Sequence, residues 1–128
     1  MKTLSVKQPW ASMIARGEKT IEVRSWRTSY RGPLLIVSCA RPRDPLAGLA
    51  LAIVQLIDCR PWCAEDERLS GICGSENCWS WLLRDARLIP PFPGRGRLGL
   101  YDIMCPATSP QDLDPSHPPR TQTPRSND

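Results

Sequence analysis

Four side chains within six residues, Lys19, Thr20, Glu22 and Arg24 of the run GEKTIEVRSW, carry the most readily named chemistry in this sequence. Apolar and polar residues alternate over 18–24. On a strand that pattern puts Ile21 and Val23 on one face and Thr20, Glu22 and Arg24 on the other. On an open face Glu22 and Arg24 make a solvated ion pair worth at most about 1 kcal/mol. Inside a cleft, the carboxylate accepts hydrogen bonds from a base edge or amino group, and Arg24 or Lys19 holds an anionic oxygen. Lys19 has a further option, because a lysine buried beside a hydroxyl loses basicity and can serve as a base.

Flat rings are interleaved with the cations of this region: Trp10, Trp26 and Tyr30 lie among Lys7, Lys19, Arg24, Arg27 and Arg31. Cations neutralise phosphates, and aromatic faces stack on unpaired bases at roughly 1–3 kcal/mol each. The first 31 residues hold seven basic and two acidic side chains, a net +5 within a chain whose total is +4. Everything after Arg31 is therefore net −1. The competing reading makes Trp10 a core residue and the cations a solvated face.

The elements that must position these groups follow from local signals. Pro9 suits the first turn of a helix, where its missing N–H is not needed, and Trp10, Met13 and Ile14 form one apolar stripe. Gly17 is placed to end that helix in a left-handed conformation. Strands are expected at 3–6, 18–24, 33–40, 46–58, 78–88 and 98–104 from their branched or alternating residues, with a short acidic helix or turn at 64–69. Pro90, Pro91 and Pro93 predict an irregular extended segment. Trp79 and Trp81 are expected in the core, Cys39 and Cys105 as small core residues, and Arg95 and Arg97 as a basic turn. One or two helices among five or six short strands make an α+β fold, a mixed and mostly antiparallel sheet curling into a small barrel.

The chain of 128 residues is the size of one domain. Residues 1–105 are expected to form it, and 106–128, with six prolines and Leu113 as its one large aliphatic residue, a disordered tail. No apolar run reaches the roughly twenty residues of a membrane span, and the N-terminus lacks the pattern of an export signal. The expectation is a cytoplasmic monomer with reduced thiols. Cys59, Cys63, Cys73 and Cys78 are spaced C-x3-C-x9-C-x4-C, without the usual two-residue knuckle or a nearby histidine, so no metal and no cofactor is expected.

Four separated motifs in order, LSVKQPWA, GEKTIEVRSW, YRGPLLIVSCA and WSWLLRDARLIPPFPGRGRLGLYDI, resemble the ASCH domain family over about residues 2–105. The resemblance implies a PUA-like β-barrel with a cleft beside the first helix, lined by the segment holding Gly17, Lys19, Thr20, Glu22, Arg24 and Trp26. It implies binding of RNA or another nucleic acid, and for some members hydrolysis of acylated cytidine or of RNA. In the acetylcytidine-hydrolysing members the lysine works with a threonine three residues later. This chain has Glu22 there.

The resulting expectation is an RNA or modified-nucleoside binding module. Lys19, Thr20, Glu22 and Arg24 line its pocket, and Trp10, Trp26, Arg27 and Arg31 stand at the rim. The alternatives are a small hydrolase of the same fold, amidohydrolase-like or ribonuclease-like with Lys19, Thr20 and Glu22 as its catalytic set, and a domain whose basic face docks on an acidic protein.

Overall fold

The structure, a computed structural model, describes residues 1–71 and 76–104. The expected tail, Cys73 and Cys105 lie outside the described residues. Among those described, six strands, β1 (Lys2–Val6), β2 (Ile21–Arg24), β3 (Gly32–Ser38), β4 (Leu49–Pro61), β5 (Trp79–Pro93) and β6 (Leu100–Asp102), form one sheet in the order β2-β5-β4-β3-β1-β6. Strands β1 and β3 run parallel, and the other pairs are antiparallel. Two short helices accompany it, α1 (Trp10–Ala15) and α2 (Glu67–Ser70), the latter continuing a 3-10 turn at Ala64–Asp66.

Helix α1 buries Ala11, Ile14 and Ala15 against Leu4, Leu34, Val54 and Trp81 of the sheet. Of the expected stripe only Ile14 is fully buried, while Trp10 and Met13 are half-buried, because the face turned to the core is centred on the two alanines beside Ile14. Gly17 ends the helical segment at φ +77° with no atom near the position a Cβ would take, and only backbone strain opposes a side chain there. Gly17→Ala is expected to destabilise the fold by about 1 kcal/mol, seen as a lower urea midpoint at unchanged slope. An unchanged midpoint would remove the requirement for the left-handed turn.

Two expectations are corrected. Strand β2 starts at Ile21 rather than at 18, because the amides of Glu18 and Lys19 both donate to the Met13 carbonyl (2.9 and 3.1 Å) and hold the chain in a turn. The prolines at 90, 91 and 93 continue β5 instead of leaving it, with Phe92 opposite Ala50 and Pro93 opposite Leu49. Strand β2 pairs with β5 only over 79–82, so beyond that stretch one side of β5 is an edge, where a missing N–H leaves no ladder bond unmade.

The sheet curls until its ends approach as a half-barrel. Strand β6 covers β1 only as far as Leu4, which leaves the Ser5 carbonyl open on that side. Arg24, on the opposite edge strand β2, donates from Nη2 to that carbonyl at 2.6 Å. One side chain thus closes the seam that the backbone does not.

Candidate functional site

A pocket of about 320 Å³ lies in this seam. Ser5, Val6 and Lys7 of β1 and its exit form one side, and Glu22, Val23 and Arg24 of β2 the other. Trp10 at the start of α1, Cys39 just after β3, and Arg97, Leu98 and Gly99 ahead of β6 complete it. Lys7, Arg97 and Leu98 are exposed, Trp10 is half-buried, and Glu22 is 5% exposed. The floor is thus a carboxylate and the entrance is cationic.

Glu22 is held from two sides. Arg24 Nε donates to its Oε2 at 3.0 Å, and Lys19 Nζ lies 3.4 Å from Oε1. Lys19 is 1% exposed and also donates to the Ser70 carbonyl at the end of α2. Burial pushes the Lys19 ammonium below its ordinary pKa, and the neighbouring Glu22 carboxylate opposes that shift. Cys39 is a wall residue rather than the small core residue expected. Burial raises its thiol pKa although Arg24 and Lys7 pull the other way, so it stays a poor nucleophile.

The eight expected site residues divide into groups. Trp10, Glu22 and Arg24 meet in the pocket. Lys19 lies behind Glu22, outside the lining, and Thr20 is also outside, its N–H bonded to Leu69 O (3.2 Å) and its carbonyl accepting from Leu83 N (2.8 Å). Trp26 supports the core, edge-on to Trp81 with centroids 4.8 Å apart, and accepts Trp81 Nε1–H on its carbonyl at 3.2 Å. Arg27 and Arg31 lie outside the pocket lining, in a neighbouring groove with Thr28, Ser29, Cys59 and Trp79.

Sequence reasoning missed Ser5 and Cys39 as pocket residues. Neither is near Glu22 in the chain, and no local pattern marks a strand end that fails to find a partner. It also missed a polar cluster centred on the buried Asp66. Asp66 accepts from both terminal nitrogens of Arg60 (2.7 and 2.8 Å), from Ser80 Oγ (2.8 Å) and from the Cys63 amide (3.1 Å). The one available signal was an acid three residues after the position that opens the turn. Among the described residues Cys39, Cys59, Cys63 and Cys78 form no disulfide, no group of three metal-ligating side chains converges, and no helix is long and apolar enough to cross a membrane.

The model of the ASCH domain matches residues 4–98. Activating signal cointegrator 1 of Homo sapiens is 38% identical over an alignment that takes in 44% of this chain and 14% of that protein, and the Mus musculus protein is 35% identical over the same shares. The matched part is thus a small fraction of those relatives' length. The crystal structure of ASCH from Zymomonas mobilis superposes with a TM-score of 0.65 at 17% identity, over 80% of this chain and 87% of that one. A serine-to-alanine mutant of the same Zymomonas mobilis protein gives 0.64 at 16% over the same shares. At that identity the likeness is one of fold. With the model spanning most of the chain, this protein belongs to the ASCH domain family.

Proposed function

We propose that this protein binds RNA, seating one base of an unpaired strand in the seam pocket. The observation that carries the reading is the order of groups there: an oriented carboxylate at the floor, a tryptophan on the wall and two cations at the entrance. Glu22, fixed from behind by Lys19 and from the side by Arg24, offers an acceptor to the exocyclic amino group of a base. Trp10 supplies a stacking surface. Lys7 and Arg97 stand where the backbone phosphates of a seated nucleotide pass. A volume of about 320 Å³ suits one nucleoside and little more.

The geometry favours binding over hydrolysis. An amidohydrolase needs a base facing the substrate, and Lys19 is engaged by Ser70 and Glu22 behind the pocket, while Thr20 is placed elsewhere.

The test is a titration of the full chain with a short single-stranded RNA, followed by tryptophan fluorescence at several salt concentrations. Quenching is expected, with affinity falling as salt rises. Lys7→Ala with Arg97→Ala is expected to flatten the logarithmic salt slope by about 1.4, the share of two phosphate contacts to a single strand. No binding at any salt, or a slope unchanged in that variant, would overturn the reading. Appearance of cytidine from acetylcytidine would move the assignment to the hydrolase.

A further inference from the structure

We infer that the groove holding Arg27, Arg31 and Trp79 is a second nucleotide station continuous with the pocket, so that the preferred ligand is a strand of at least two consecutive nucleotides and not a free nucleoside. The inference rests on the RNA reading above.

The two places are joined by the register of the sheet. Glu22 lies opposite Trp81 and Arg24 opposite Trp79 in the β2–β5 pairing. Residues directly opposite on antiparallel strands share a face, with Cβ atoms roughly 4.5–5.5 Å apart. The pocket's Arg24 and the groove's Trp79 are thus immediate neighbours, and a strand leaving the pocket on that side arrives at the ring of Trp79.

The groove is already arranged for such a ligand. The Arg27 guanidinium sits over the Trp79 ring, 5.6 Å from its centroid, and among the described residues Arg27 has no carboxylate partner. Its outer face is a flat cationic surface on which an unpaired base stacks, with the indole beneath holding it in place. Beside it, Arg31 donates from Nη1 to the carbonyls of Thr28 (2.9 Å) and Tyr30 (2.7 Å). Its Nη2 is 3.5 Å from Asp58, a long and exposed contact that a phosphate readily replaces. Two guanidinium groups held in place before any ligand arrives lose less freedom on binding than two free surface arginines. The base of the second nucleotide stacks on the Arg27–Trp79 pair, and Arg31 takes the phosphate between the two stations.

The experiment compares the wild-type full chain with Arg27→Ala/Arg31→Ala, both exposed positions outside the pocket lining. It uses anisotropy of a labelled short single-stranded RNA of mixed sequence and, separately, calorimetry with its component nucleosides. The variant is expected to bind the strand roughly tenfold or more weakly at low salt, with a salt slope smaller by about 0.7, and to bind nucleosides as the wild type does. Equal strand affinity in wild type and variant would overturn the second station alone. A variant that weakens strand and nucleoside equally would also overturn it, because the two arginines would then act through the pocket. Failure of the wild type to bind either ligand would overturn the RNA reading and this inference together.

Discussion

Glu22→Ala is expected to destabilise the protein by about 3–5 kcal/mol, the loss typical when one member of a buried ion pair is removed. Among the described residues the carboxylate is the only partner of opposite charge for Lys19, whose side chain is fully shielded from water, whereas Arg24 is about a quarter exposed and keeps access to solvent. For a domain of this size that loss amounts to a fall in Tm of more than about 10 °C. The pH dependence has a definite sign. Burial already lowers the Lys19 pKa, and without Glu22 the opposing attraction disappears, so the folded value falls further below the unfolded one. Between those two values the unfolded chain binds the extra proton, and stability rises with pH. The deficit of Glu22→Ala should accordingly shrink in alkaline buffer. Lys19→Met with Glu22→Leu removes both charges and should recover most of the loss, since apolar replacement of a whole buried pair is commonly neutral. Equal thermal midpoints for wild type and Glu22→Ala would show that Lys19 finds its compensation elsewhere.

Asp66→Ala is the second large effect, at about 3 kcal/mol, set at the low end of the range for buried pairs because Arg60 is more than a third exposed. Its removal strands a guanidinium fork, the Ser80 hydroxyl and the Cys63 amide at once. The cluster also fixes α2 against β4 and β5, and α2 supplies the Ser70 carbonyl to Lys19 and the Leu69 carbonyl to Thr20. On the proposed RNA reading, weaker binding should therefore accompany the lower stability. The Arg60 fork, helped by Ser80 and Cys63, holds the Asp66 carboxyl well below the usual carboxylate range. A depressed folded value means the contribution is complete above the unfolded pKa of about 4 and is lost as pH falls below it toward the folded value. Chemical denaturation of wild type and variant between neutral pH and about pH 2 checks this: the two stability curves should converge in acid. Curves that stay parallel would exclude the cluster as the acid-labile element.

Much of the architecture was legible in local patterns. Pro9 and Gly17 bracket α1 because one constrains φ and the other tolerates a positive value, and both act within a single turn. The branched run of β4 and the two-residue alternation of β2 identify strands for the same reason: each residue's preference depends on its immediate neighbours. The prolines near the end of β5 were misread because proline is excluded from a ladder only where its N–H is needed, and whether a strand has a partner on that side is a matter of topology.

The candidate site follows the same division. By itself the sequence determined that Glu22 and Arg24 share a face beside a helix carrying Trp10, that cations gather in the first 31 residues, and that the chain is an ASCH-type α+β domain. These are properties of periodicity, composition and residue order. Only the tertiary structure decided that Lys19 faces Ser70 rather than the pocket, that Ser5, Cys39 and Arg97 complete the pocket wall, and that Arg27 and Arg31 line a groove of their own. Each of those outcomes depends on how far a curled sheet closes and which groups it brings within hydrogen-bond distance. Ser70 meets Lys19 from 51 residues away, and Ser5 meets Arg24 from 19. Burial depth and charge pairing are set by contacts across such separations, and no window of neighbouring residues contains them.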